Sequence, residues 1–239
     1  MKKEDWVFDR EVQRRFRERR REFLERCLPD LSAGLGLETA LDAGCGIGFF
    51  SGFLSSLGLV VTAFDAREEN ITEAKKRYLE VEFGVGNVED LKIRELGQFD
   101  LVLCLGLLYH LENPFQAIRN LHALTRQILI IESVVTPSQS PVATLMSESR
   151  GEDQGLGYIA FVPSEACLIK MLCHAGFSEV YGTRELPDHE DFRRTFSHQR
   201  QRTILVASNA RLQSALLRRV AEPQPQRQDI WRRRFPLLG

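Results

Sequence analysis

The sequence predicts an α/β domain: a doubly wound, mainly parallel sheet with helices on both faces. Three observations carry that expectation. Short apolar runs alternate with helical patterns from residue 39 onward, and strands alternating with helices imply parallel strands joined by crossover helices. A glycine-rich turn, Asp42-Ala43-Gly44-Cys45-Gly46-Ile47-Gly48, follows the first run. The run at 101–105 is apolar throughout, as a strand buried on both faces requires.

Residues 8–28 read as an amphipathic helix. Val12, Phe16, Phe23, Leu24, Cys27 and Leu28 share one face and arginines fill the other, with Pro29 as a natural stop. The plain reading of the arginines is a solvated face. The sharper one is a lid over a ligand or a patch for an acidic partner. Strand 39–42, helix 48–57, strand 59–64, helix 69–78 and strands 81–85 and 101–105 follow, then helix 114–125 and strand 127–132.

Segment 136–161 breaks the rhythm with Pro, Ser, Gly and acids around an apolar centre at 142–146. Inserts of this length in a compact domain are usually functional or disordered, and this one is expected to cap the site. Pro163-Ser164 opens a helix over 165–175 that Gly176 ends, and 177–181 and 203–207 are the last strands. Residues 221–226 resemble a linker leading to Trp231 and the arginines at 232–234. The expected division is an N-terminal helix (1–31), a domain (32–210) with a cap insert (136–161), and a basic tail (211–239).

The 239 residues, 43% hydrophobic, suit one domain with a real core. No apolar run reaches the roughly 20 residues of a membrane-spanning helix, and the N-terminus carries no apolar signal region. The five cysteines, Cys27, Cys45, Cys104, Cys167 and Cys173, form no C-x-x-C pair. That argues against zinc or a disulfide framework and for a reducing cytoplasm. No metal is expected. The net charge of −1 is unevenly spread: residues 1–27 carry +3, residues 211–239 carry +5, and the body carries −9. An acidic body is a poor general nucleic-acid surface, although basic ends can act as arms.

The chemistry lies in the first turn. There the strand must bend into a helix while its backbone passes close to a ligand, and glycine permits both. The spacing is D-x-G-x-G-x-G, not the G-x-G-x-x-G of dinucleotide sites, which set a pyrophosphate on a helix N-terminus. An acid at the start of such a loop suits a ligand with an amino-acid tail, because Asp42 can attract its ammonium. Asp65 ends the second strand, 17 residues beyond Gly48. A carboxylate there can accept both hydroxyls of a ribose.

The run 41–65 closely resembles motif I and the following acidic strand of class I, Rossmann-like S-adenosylmethionine (SAM)-dependent methyltransferases. The likeness continues through Gly86-Asn87-Val88-Glu89-Asp90-Leu91 and Phe99-Asp100-Leu101-Val102-Leu103-Cys104. It implies SAM as cofactor and a mainly parallel seven-stranded sheet whose last strand is antiparallel. It also implies that Gly44 and Gly46 pass under the cofactor's tail and that Asp65 holds its ribose. Asn87 and Val88 would flank the adenine. Asn87 stands where the family usually has Asp, and an amide oxygen can accept the same bond. Leu105 would line the methionine portion.

Beyond that strand, at the carboxyl edge where open α/β sheets bind ligands, stands Gly106-Leu107-Leu108-Tyr109-His110. Tyr109 would bound the transfer site with its ring toward the sulfonium. His110 is either a general base or a loop fastener. His122 sits within a helix and reads as surface or packing.

Leu107-Leu108-Tyr109-His110, Asn113-Pro114, Phe161-Val162-Pro163-Ser164 and Ala175-Gly176-Phe177 are similar to the methyltransferase domain of bacterial tRNA wobble-uridine carboxymethyltransferases. Those use a carboxylated SAM, which implies a nearby basic group. Residues 151–163 contain no Lys or Arg, and Arg150 is the nearest candidate, so ordinary SAM is expected. The reaction expected is in-line methyl transfer to an O or N atom of a small molecule. The alternatives are a methyltransferase that modifies RNA (tRNA) and a non-catalytic SAM-binding partner module. The sequence assigns neither the acceptor nor an oligomeric state.

Overall fold

The computed structural model describes residues 6–149, 151, 155–193 and 201–223. An N-terminal helix, α1 (Glu11–Leu31), precedes the alternating elements β1 (Thr39–Ala43), α2 (Phe49–Ser56), β2 (Val60–Asp65), α3 (Glu68–Arg77) and β3 (Glu82–Val85). Then come β4 (Phe99–Leu105), α4 (Pro114–Leu124) and β5 (Thr125–Val134), the hairpin β6 (Ala143–Ser147) and β7 (Ile159–Pro163), α5 (Glu165–Ala175), β8 (Glu179–Thr183), β9 (Arg202–Ser208) and β10 (Leu217–Arg219).

The main sheet runs β10-β8-β9-β5-β4-β1-β2-β3. The pairings among β3, β2, β1, β4 and β5 are all parallel, while β9 lies antiparallel to both β5 and β8. The antiparallel last strand is thus β9. The sheet has an eighth strand beyond the expected seven. Residues 217–219, expected within the basic tail, form β10 antiparallel to β8, because Leu217 buries its side chain while Arg218 and Arg219 stay exposed. The rest of the expected tail, 224–239, lies outside the described residues.

Alternation along the central strands builds two cores. Leu101, Leu103, Ile128 and Ile130 face one side, with Phe23 and Leu24 of α1, Phe50 and Leu54 of α2 and Ile71 of α3. Val102, Cys104, Leu129 and Ile131 face the other, with Ile118 and Leu121 of α4 and Leu168 and Leu172 of α5. Both faces are therefore covered by helices, and each fully buried Leu or Ile contributes about 1.5–3 kcal/mol. The chain winds from β1 toward β3 on one side and from β4 toward β5 on the other. The crevice at the carboxyl ends of β1 and β4 is thus the switch point where such sheets bind ligands.

The N-terminal helix departs from expectation in three ways. It runs through Pro29 to Leu31. Proline removes one amide bond, but the Glu25 turn it affects faces solvent, and the burial of Leu31 holds the last turn in place. Val12 is 75% exposed, because the first turn precedes the stripe that reaches the core. Finally, Arg17 and Arg20 are buried rather than solvated.

Candidate active site

The crevice at the switch point opens into one cavity of about 900 Å³. Its floor is the loop after β1. Gly44, Gly46 and Gly48 hold φ of 75°, 53° and 85°, conformations that L side chains avoid. Gly44 also leaves no room: a Cβ there would meet Leu107 Cδ2 at 2.8 Å. Asp65, at the end of β2, fixes this floor. Its carboxylate accepts from the Gly46 N–H at 2.9 Å, the Arg67 N–H at 2.9 Å and the Asn70 amide at 3.0 Å. Asp65 lines the cavity with Asn87, Val88 and Leu105. Asn87 turns its Oδ1 to the Glu89 N–H at 2.9 Å.

Asp42 is placed differently. It is buried beneath the loop, outside the cavity wall, and accepts the Ser51 hydroxyl at 2.7 Å. Burial pushes its pKa up to about 6, with the Asp65 charge adding to the rise. It touches the cavity only through the backbone it supports.

The far wall is the turn after β4. Tyr109 and His110 both line the cavity, 4.1 Å apart between ring centroids. Burial raises the Tyr109 phenol further above the physiological range, so the hydroxyl stays protonated. The His110 Nδ1 pairs with Glu148, just beyond β6. The hairpin sits directly on this turn, with the Phe161 N–H donating to the Leu111 carbonyl at 2.9 Å. His122 lies away from the cavity with its ring edge-on to Phe177.

A buried charge cluster closes the third side. Glu132, fully buried at the end of β5, accepts from Arg20 at 2.9 Å and from Arg202 at 2.8 Å. Arg202 also donates to the Tyr109 hydroxyl at 3.3 Å and to Asp191 at 3.2 Å. The Arg20 guanidinium lies 4.2 Å from the Phe16 ring and 5.1 Å from the Phe50 ring, and Arg17 lies 4.8 Å over Phe49. These aromatic faces offset part of the cost of taking cations out of water.

Residues 41–128 match the family model described as a methyltransferase domain. That stretch, from β1 to β5, is similar to a methyltransferase domain. A ubiquinone biosynthesis O-methyltransferase of Pseudomonas paraeruginosa is 36% identical over 101 residues, 41% of this chain and 44% of that protein. The chain thus spans under half the length of the curated relatives it matches. The N-terminal domain of EvdMO1, crystallised with SAH bound, shares the fold at a TM-score of 0.62 and 24% identity, over 80% of this chain and 79% of that one. Magnesium protoporphyrin IX methyltransferase from Synechocystis, also with SAH, aligns at a TM-score of 0.57 and 22% identity, over 84% and 88% of the two chains.

Those two solved neighbours hold SAH, and the lining of this cavity fits a ligand of that chemistry. The backbone of Gly44 and Gly46 lines the cavity, and the Asp65 carboxylate stands at the cavity wall with acceptor capacity beyond its three internal bonds. No cluster of metal-ligating side chains occurs among the described residues. No helix among them is long and apolar enough to cross a membrane.

Sequence reasoning missed Arg17, Arg20, Glu132, Arg202 and Glu148. For Arg20 a signal existed: it falls four residues after Phe16 and four before Leu24, on the apolar stripe itself. Glu132 ends an otherwise apolar run, which also marks a buried acid. The basic groups beside Tyr109 come from α1 and β9, not from the insert where they were sought. Arg150 lies outside the described residues.

Proposed function

We propose that the chain transfers the methyl group of SAM to a hydroxyl of a small organic molecule. The single continuous cavity carries this reading. It joins the glycine floor and Asp65 to Tyr109 and His110 beneath the hairpin, and its volume of about 900 Å³ suits a cofactor together with a small acceptor. The O-methyltransferase name of the relatives supports oxygen as the acceptor atom.

The cofactor supplies an electrophilic methyl group on sulfur. Asp65 accepts hydrogen bonds from the ribose, Asn87 and Val88 flank the adenine, and Gly44, Gly46 and Leu105 bound the methionine tail. Arg17, which lines the cavity over the first residue of α2, faces the tail's carboxylate. Asp42 supports the loop from below. Tyr109 and His110 bound the acceptor end, where burial and the hairpin exclude water and align the reacting atoms.

The test has two stages. Calorimetry measures SAH binding to the full chain, and mass spectrometry then reads methyl gain across a panel of phenols, alcohols and amines. Binding with methylated hydroxyl compounds supports the proposal. Methylation of RNA alone, with salt-dependent binding, would replace its substrate class. SAH binding with no methylated product, together with a stable protein complex, would replace catalysis with a partner role.

A further inference from the structure

We infer that Glu148 is a positioning residue that makes His110 a proton acceptor, so that the cap hairpin supplies half of a histidine–carboxylate pair and the methyl acceptor is one that must lose a proton. The inference deepens the methyltransferase reading and rests on it. His110 ends the short helical turn after β4, and Glu148 follows β6, 38 residues later. Their side chains are 13% and 9% exposed, and both line the cavity.

The carboxylate is held at both oxygens. One faces His110 Nδ1 and the other accepts the Gly155 N–H at 2.9 Å. The Glu148 N–H donates to the Tyr158 carbonyl at 2.8 Å. Gly155 packs so closely that a Cβ there would run into the His110 carbonyl. With Phe161 bonded to Leu111, the hairpin end and the turn form one unit.

An ionised carboxylate only accepts, so Nδ1 carries the hydrogen of this bond. The neutral ring then keeps its lone pair on Nε2, which has no hydrogen-bond partner among the described residues. Which nitrogen of a histidine is protonated is set by the bond the other makes. In the reaction the acceptor's O–H proton passes to Nε2 as the oxygen–methyl bond forms and the methyl–sulfur bond breaks. The positive charge leaves sulfur and comes to rest on the imidazolium, which faces the Glu148 carboxylate. A general base contributes about 10²–10⁴-fold to such a step. An acceptor that already lacks its proton would not need the pair.

The test uses the full chain, labelled with ¹⁵N at histidine and saturated with SAH at mildly alkaline pH. Long-range proton–nitrogen spectra read the His110 tautomer in the wild type, Glu148→Ala and Glu148→Gln. The wild type should show Nδ1–H with a bare Nε2. Glu148→Ala should move the population toward Nε2–H, and Glu148→Gln, whose amide oxygen still accepts, should keep Nδ1–H. SAH affinity should hold within about threefold in both variants, since the pair acts on the acceptor side. A wild-type ring bare at Nδ1, a doubly protonated ring, or an unchanged tautomer in Glu148→Ala would overturn the inference. So would a collapse of SAH affinity in Glu148→Gln, which would make Glu148 a brace of the cofactor site. Failure of the wild type to bind SAH would instead sink the methyltransferase reading.

Discussion

The Arg20 guanidinium and the Glu132 carboxylate meet at 2.9 Å although 112 residues separate them in the chain. Glu132 is fully buried and also holds Arg202 at 2.8 Å, so one carboxylate serves two desolvated cations. Removing it strands Arg20 and leaves Arg202 with Asp191 and the Tyr109 hydroxyl. Glu132→Ala should destabilise the fold by about 3–5 kcal/mol, the usual cost of leaving a buried charge without its partner. Denaturant unfolding measures this directly. A loss below about 1 kcal/mol would mean that water reaches the guanidiniums and solvates them.

The same pair shows what was legible in the sequence and what was not. The glycine turn, the acid ending β2 and the apolar β4 announced themselves, because backbone strain and two-sided burial leave strong local patterns. The expected helix 165–175 matches α5 (Glu165–Ala175), bounded by the Ser164 cap and Gly176. The charge cluster left no local trace. Arg20, Glu132 and Arg202 sit on three distant elements, and an arginine-rich helix reads as solvated until the acid that neutralises it is placed opposite. Glu148 was hidden in the same way, inside an insert with no periodicity. The strand β10 is only three residues long, with a single buried side chain, too little to register as a pattern.

Asp65→Ala tests the ribose assignment and the loop together. Charge-assisted bonds to the cofactor should disappear, weakening SAH binding by about 1–3 kcal/mol. The Gly46 and Asn70 donors lose their acceptor as well. Asp65→Asn, which keeps an accepting oxygen, should therefore lose less than Asp65→Ala in a thermal melt without ligand. Calorimetry giving wild-type affinity for Asp65→Ala would place the ribose elsewhere.

Asp42 makes stability depend on pH in a direction unusual for a carboxylate. Burial raises its pKa from 3.8 to about 6 in the folded chain. The folded state therefore holds the proton more tightly than the unfolded state. The advantage of the protonated form is complete below about pH 4 and is lost as pH rises through about 6. At neutral pH the ionised, buried group costs up to about 3 kcal/mol. Asn can accept the Ser51 hydroxyl without ionising. The stability of Asp42→Asn relative to wild type should thus rise from about pH 4 to neutrality, read as the difference between the two urea unfolding curves at each pH. A difference that stays flat with pH would mean that Asp42 titrates normally.

The eighth strand separates two truncations. Ending the chain after Pro223 keeps β10, its antiparallel pairing with β8 and the Val220 N–H bond to the Val180 carbonyl at 2.9 Å. Ending it after Ala210 removes them all and uncovers the edge of β8. Leu217, 6% exposed, gives up about 1.5–3 kcal/mol of burial. The Leu212 N–H also donates to the Tyr181 hydroxyl at 3.0 Å, a bond the shorter chain lacks. For a chain of this size each kcal/mol shifts the melting temperature by about 2–4 °C. The form ending at 210 should therefore melt roughly 5–10 °C below the form ending at 223. It should also self-associate more readily through the exposed strand edge, which light scattering would detect. Equal melting temperatures would show that the sheet is complete at β8 and that β10 only rests against it.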